Sequence, residues 1–374
     1  MQAAGDRAEG ERLLQRFECK RCHADLPGPK VSLEKSCADC HRAIVTGKAV
    51  ADADALNRWQ QHVRHFVEAP RLTSLAKKLR NGWVQRFLLS PHDVRPGLEE
   101  SMPRLALTPE QARDIASYLA PSDVARSPAV NANAGEATRG RRLLEERGCG
   151  TCHQLRAAPL PASPIPVAID PTRLSRAIRL APDLAEVRER WLPGYLETWL
   201  SKPSALDADA LMPDIPLTPN EVRAIVGYLF SIRSGPALNK PFVRLPLLER
   251  RVSFDEVKQR VFRKSCRHCH SEPDYALGDG GPGNSGGFGF RGRGINLAEH
   301  EGVLAGYLDD NGARHSLFSP NPNDGRLVQS LLARHAEEAG APSGPVRGMP
   351  LGLPALPAED IQLVETWIAQ GRAL

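Results

Sequence analysis

The sequence predicts a helix-rich chain of three tandem units, placed at residues 1–126, 135–235 and 250–374. Two observations predict it. Besides Met1, the chain has three methionines, each followed by proline (Met102-Pro103, Met212-Pro213, Met349-Pro350), and each pair precedes a segment with helix-start chemistry. At the front of the first two units, Gly10 and Gly140 each stand nine residues before a cysteine, with Leu13-Leu14 and Leu143-Leu144 at matching offsets. Self-similarity of this kind marks repeated structural units.

Taken in order, the leading elements are amphipathic helices that run into Cys19, Cys149 and Cys266, the third being Phe254 to Phe262. In the middle, Pro70, Leu72, Phe87 and Pro91 repeat the separations of Pro182, Leu184, Trp199 and Pro203. The closing helices follow Leu107-Thr108-Pro109-Glu110 and Leu217-Thr218-Pro219, where Thr at the N-cap, Pro at N1 and first-turn acids favour initiation. Glu221 completes a capping box with Thr218. The third copy keeps Pro357, Glu359 and Asp360 but has Leu356 at the N-cap position. Tyr118, Tyr228 and Trp367 each lie ten residues beyond Thr108, Thr218 and Pro357. Stretches around Pro128 to Gly135 and Gly235 to Pro246 read as linkers. A Gly278-to-Gly294 insert and a long Leu327-to-Ala339 helix set the third unit apart.

All eight cysteines fall in four Cys-x-x-Cys-His motifs: Cys19/Cys22-His23, Cys37/Cys40-His41, Cys149/Cys152-His153 and Cys266/Cys269-His270. This is the attachment signature of c-type haem, in which two thiols become thioethers and the next histidine binds iron. Structural zinc needs no histidine fixed directly after the second cysteine, and disulfide frameworks belong to shorter secreted chains. Four covalent haems are therefore expected, two in the first unit. An aromatic content of only 5% fits a core completed by porphyrin. Haem propionates offset the formal charge of +5, so the basic balance does not argue for nucleic acid.

Helix, CxxCH, apolar middle, Met-Pro and terminal aromatic helix together resemble class I cytochromes c. The resemblance covers about a hundred residues in each of units one and two; unit three keeps only the two ends of the pattern. It implies an all-α fold in which the first and last helices cross, with His and Met on opposite faces of iron. Met102, Met212 and Met349 become the distal ligands to three haems. It also implies single-electron transfer between redox protein partners such as dehydrogenases, oxidases or other cytochromes in a respiratory chain. The alternative is a haem enzyme, a peroxidase or an oxidoreductase of a small inorganic substrate, with an open iron in unit one.

Unit one has two haem motifs and one Met-Pro, so one distal ligand is missing. His62 and His65 are the expected candidates, at helical i, i+3 spacing, and His92 is a weaker one. His268, inside its own CxxC loop, is too constrained to reach the distal face. His300, His315 and His335 are expected at the surface. The leading helix assigns Met102 to the Cys19 haem. Against that, Cys37 to Pro70 is 33 residues, as is Cys149 to Pro182. Gly281-Pro282-Gly283-Asn284-Ser285-Gly286 fits a dinucleotide fingerprint only formally, because no strand leads into it. It is expected to lie over the fourth haem or contact a partner. Arg139, Arg141, Arg142, Arg291 and Arg293 read as solvated or as partners of propionates.

No run of about 18 apolar residues is present, so no span of a membrane is expected. Haem attachment of this type implies an oxidising, periplasmic or other extracytoplasmic compartment, while Met1 to Asp6 lacks the apolar core of a signal peptide. The expectation is a processed chain, with a membrane anchor outside it left open.

Overall fold

The computed structural model describes all residues except 1–4, 34, 93, 100, 122–133, 157, 234–241, 272–280, 322–323 and 341–343. Much of both linker stretches and the start of the Gly-rich insert lie outside the described residues. No described helix is long and apolar enough to cross a membrane.

In the first segment, α1 (Arg7–Arg16) is capped by Asp6, whose carboxylate accepts from the amides of Ala8 and Glu9. A 3-10 turn (Cys19–Arg21) follows, then α2 (Cys37–Val45), α3 (Ala53–His62), α4 (Leu75–Lys78), α5 (Asn81–Leu89) and α6 (Pro109–Leu119). α6 starts with a complete capping box between Thr108 and Gln111. Leu13, Leu14 and Phe17 of the leading end pack with Trp83, Val84, Ile115 and Leu119 into one apolar cluster. Among the described residues, that cluster includes none from α2 or α3.

The second segment repeats this layout with α7 (Ala134–Glu146), α8 (Pro171–Leu180), α9 (Val187–Arg190), α10 (Pro193–Ser201), α11 (Pro203–Leu206) and α12 (Pro219–Ser231). The Thr218/Glu221 capping box is formed. α7 crosses α12 as α1 crosses α6, and the matched glycines sit at the two crossings. A Cβ on Gly10 would run into the Asp114 carbonyl and Tyr118 Cβ; one on Gly140 would run into the Ala224 carbonyl and Tyr228 Cβ. The repeated glycine and tyrosine are thus two sides of one close helix contact.

The third segment opens on α13 (Phe254–Val257), which continues as π-helix through Lys258–Cys266, with the Arg267 amide reaching back to Phe262 O. The helix expected to end near Phe262 therefore carries the chain directly into Cys266. Then come α14 (Gly281–Asn284), the hairpin β1 (Gly286–Gly287) and β2 (Phe290–Arg291), α15 (His300–Ala305), the pair β3 (Tyr307–Leu308) and β4 (Arg314–His315), α16 (Arg326–Glu338) and α17 (Ala358–Ala369). Trp367 is fully buried among Phe254, Phe262, Val364 and their neighbours, and its indole N–H donates to Ala373 O at 2.8 Å.

The segments join through backbone bonds. Arg80 N donates to Arg190 O and Leu192 N to Lys78 O, both at 2.8 Å, around the Leu79–Trp191 bridge. Ser101 N donates to Gly352 O at 2.9 Å, and Phe288 N to a Glu18 carboxylate oxygen at 2.8 Å.

Candidate functional site

Three of the four CxxCH motifs stand against the apolar clusters. Cys19, Cys149 and Cys266 each pack on the cluster of their own segment. Burial pushes the Cys19 thiol up to about 12 and those of Cys149 and Cys266 to about 11, as expected of thiols turned into apolar surroundings. Cys37 is placed differently, at the start of α2. Its side chain contacts that of Cys22, and this hydrogen bond, with burial, raises the Cys22 thiol well above its ordinary value. The two motifs of the first segment therefore adjoin through their sulfurs.

The second cysteine of each of those three motifs closes the same turn. The amides of Cys22, Cys152 and Cys269 donate to the carbonyls of Cys19, Cys149 and Cys266, each at 3.2 Å. Cys40 differs, because its amide donates to Ser36 O inside α2. All four of these residues are half-buried. Burial raises the Cys152 thiol as well.

The histidines of the first three motifs share one geometry. His23 Nδ1 lies 2.8 Å from Pro70 O, and His153 Nδ1 lies 2.9 Å from Pro182 O. His41 Nδ1 lies 2.6 Å from His65 O. A carbonyl accepting from Nδ1–H fixes the tautomer and presents Nε2 as the metal-binding nitrogen, the usual outer support of a ligating imidazole. Burial lowers the pKa of His23 and of His153, which keeps the rings neutral as iron binding requires. His270 is pushed down to about 4 by burial. Its Nδ1 faces the Gly283 backbone without a well-aligned hydrogen bond, and a Cβ at Gly283 would occupy the space of its ring. The insert thus lies behind His270. It also reaches the first segment, where Gly289 sits against Phe17 and the Arg21 guanidinium lies 5.1 Å from the Phe288 ring centre.

First-cysteine thiols at three apolar clusters, each with a second cysteine three residues on, and oriented imidazoles fit a covalent haem. The matched His23–Pro70 and His153–Pro182 contacts also assign the first motif, not the second, the position that Cys149–His153 holds in the second segment. The equal 33-residue separations from Cys37 and Cys149 to their prolines reflect no equivalent contact: His41 is supported by His65.

A cytochrome c family model matches residues 26–122. The match supports a c-type cytochrome. A cytochrome c domain implies covalently bound haem c and an electron-carrier function. No curated protein and no solved structure matches the chain significantly. The matched stretch contains Cys37–His41 and Met102 but leaves out α1 and Cys19–His23. In the structure, however, the leading helix that crosses α6 is α1, and it runs into Cys19.

The methionines are half-buried. Met102 packs on the first cluster and Met212 on the second, where Trp199 Nε1 donates to Met212 Sδ at 3.1 Å. Met349 N donates to Ser330 O at 2.8 Å.

Several sequence expectations are corrected. The fourth motif closes the same turn as the first and third but is entered differently. Cys19–Arg21 and Cys149–Thr151 are 3-10 turns entered from a left-handed residue, Glu18 or Gly148, whereas Cys266 ends a π-helix that runs straight into the loop. Cys269 therefore follows the helix without a break, with its carbonyl against Gly283 of the insert. In its packing the motif matches the first and third: each apolar cluster takes in the first cysteine, Cys19, Cys149 or Cys266, and, among the described residues, not the second. His62 and His65 do not share a helix, because α3 ends at His62; the Val63 amide closes the last turn and the backbone then extends. His62 is exposed, and His65 lies in the following loop with its carbonyl behind His41. His92 is engaged elsewhere, its Nε2 2.8 Å from a Glu186 carboxylate oxygen of the second segment. Burial disfavours the charged ring, yet the Glu186 carboxylate outweighs it and raises the His92 pKa. His300 and His335 are half-buried and not surface residues: His300 Nε2 bonds Arg372 O, and His335 bonds Leu356 O and stacks on Phe242 at 3.8 Å. His315 is exposed beside Asp309. Arg141 is fixed to Glu145 and to the carbonyls of Ala158 and Pro159, which explains its place before the CxxCH loop better than solvation does. The dinucleotide-like glycines form a helical turn and a two-residue hairpin, without the βαβ setting that a phosphate site needs.

Proposed function

We propose that the chain is a tetrahaem c-type cytochrome that passes single electrons between extracytoplasmic redox partners. The observation that carries this reading is the repeated support of proximal imidazoles, His23 by Pro70 O and His153 by Pro182 O, beside thiols buried at apolar clusters. The three apolar clusters, drawn from residues 13–120, 143–230 and 252–368, support units at 1–126, 135–235 and 250–374. Haem attaches at Cys19/Cys22, Cys37/Cys40, Cys149/Cys152 and Cys266/Cys269, with His23, His41, His153 and His270 as proximal ligands. Met102 serves the Cys19 haem, Met212 the Cys149 haem and Met349 the Cys266 haem.

When bound, the haems supply one-electron cycling between ferric and ferrous iron. The chain's own residues hold the ligands still, so that little rearrangement accompanies a change of oxidation state. The carbonyls of Pro70, His65 and Pro182 fix three imidazoles, while the Trp199 indole orients the Met212 thioether. Apolar packing at Cys19, Cys149 and Cys266 would shield haem attached there from water and so raise its potential, as Met ligation would. A stepwise reductive titration of the full chain tests the carrier reading. Four one-electron equivalents per chain are expected, with no turnover of peroxide; rapid peroxide turnover with a resting high-spin iron contradicts it.

A further inference from the structure

Four CxxCH motifs face three Met-Pro pairs, and among the described residues the Cys37 motif is the one whose first cysteine is outside the apolar clusters. Its distal ligand has to come from elsewhere. His65 is ill placed for that task, because its carbonyl binds His41 Nδ1, behind the ring and away from the nitrogen that meets iron. His62 ends α3 in solvent.

One other imidazole stands close to His41. The His268 ring centroid lies 6.4 Å from that of His41, with the planes inclined by 48°. Two imidazoles bound to opposite sides of one metal are separated by two metal–nitrogen bonds of about 2.0 Å and two nitrogen-to-centroid distances of about 1.1 Å, roughly 6.2 Å in all. The observed spacing agrees with this to within a few tenths of an ångström. His268 is exposed. The docking of the third segment on the first brings its ring to His41. Ser101 N bonds Gly352 O, the Phe66 ring beside His41 abuts Gly352, and Phe288 N bonds Glu18. These contacts hold the third segment against the first, and the approach of the His268 ring to His41 sets the Cys266–His270 loop beside the Cys37 motif. The position inside its own CxxC loop that keeps His268 from the distal side of its own motif leaves its ring beside that of His41.

We propose that His268 is the distal ligand of the haem attached at Cys37 and Cys40, so that a residue inside one CxxCH loop closes the iron of another. This rests on the tetrahaem reading above. The Cys37 haem is then bis-histidine, and it has the lowest potential of the four because the others carry Met. It is also bordered by both neighbouring motifs, through Cys22 against Cys37 and through His268 itself.

The test uses the full haem-loaded chain with His268→Ala, His268→Met and His62→Ala. Haem number is read from the mass of the denatured chain, spin state from the ferric optical and electron paramagnetic spectra, and accessibility from carbon monoxide binding after reduction. His268→Ala is expected to keep four haems, turn one high-spin, bind one carbon monoxide and return to low spin with added imidazole. His268→Met is expected to stay six-coordinate and raise the lowest potential. His62→Ala should leave every spectrum unchanged. In a Cys37→Ala/Cys40→Ala background, which lacks that haem, His268→Ala should add nothing. Four haems that all remain low-spin in His268→Ala overturn the assignment, as does a high-spin haem that persists in the double-cysteine background. Fewer than four haems in the wild type would instead overturn the tetrahaem reading itself.

Discussion

Replacing Gly140 by Ala adds one methyl group at the α7–α12 crossing, where its carbon would overlap the Ala224 carbonyl and touch Tyr228 Cβ. Neither obstacle is the end of a flexible side chain, so relief requires the two helices to part. Overpacking of this sort costs about 1–3 kcal/mol, and contact with backbone puts Gly140→Ala at the upper end. Alanine returns about 1 kcal/mol through its greater helix propensity. The net loss is about 2 kcal/mol, which for a unit of roughly 100 residues lowers Tm by about 8–16 °C. The control is Gly194→Ala in α10, where an added Cβ meets nothing within 4 Å. That substitution should be neutral or stabilise by up to about 1 kcal/mol. The assay is thermal unfolding of the haem-loaded chain, followed through the absorbance of the haems so that the transition of the affected unit is seen. A Gly140→Ala midpoint within about 2 °C of wild type, or above that of Gly194→Ala, would refute the close crossing and with it the reason given for the repeated glycines.

Two further outcomes are expected. The His92–Glu186 pair between the first two segments should give their docking a pH dependence. The raised His92 pKa makes its contribution present below about 6.5 and lost as pH rises through the higher folded value, whereas the lowered Glu186 pKa makes its own present above about 4.5 and lost as pH falls through the lower folded value. The stability difference between wild type and His92→Ala should therefore be greatest near pH 5 to 6, where the ion pair adds about 1 kcal/mol, and fall at alkaline pH to the residual that ring packing on Trp83 and Phe87 leaves; a flat difference across that range contradicts the pairing. Met212→Ala should lower the potential of one haem and open it to carbon monoxide, while Trp199→Phe, which removes only the N–H donated to Met212 Sδ, should shift the same potential without opening the site. Potentiometric titration with carbon monoxide binding distinguishes these, and an effect of Trp199→Phe on a different haem counts against the assignment.

Helix ends and the haem motifs were legible because their signals are local. Thr108 and Thr218 cap the helices that follow them, and the cysteine pairs need only their own spacing. The matched offsets of Gly10 and Gly140 pointed to a repeat but not to its cause, since the contacting carbonyls of Asp114 and Ala224 lie more than eighty residues away. In unit one the spacing alone misleads: His62 and His65 keep i, i+3 spacing in the sequence, but α3 stops between them. His92 and Glu186, 94 residues apart, carry no motif that announces their pairing. The position of His268 depends on how the third segment docks, set by backbone bonds such as Ser101 to Gly352 that any sequence can make. The π-helical run into Cys266, which sets the different entry to Cys269, likewise leaves no periodic trace separate from that of an ordinary helix.

In the proposed function all four CxxCH motifs carry haem through both cysteines. Mass spectrometry of the denatured chain measures this most directly, followed by peptide mapping of each motif. The account predicts a mass excess of four haems, with Cys19/Cys22, Cys37/Cys40, Cys149/Cys152 and Cys266/Cys269 all converted to thioethers. A chain that matures with three haems or fewer, and with an intact thiol pair at any of these motifs, would contradict it.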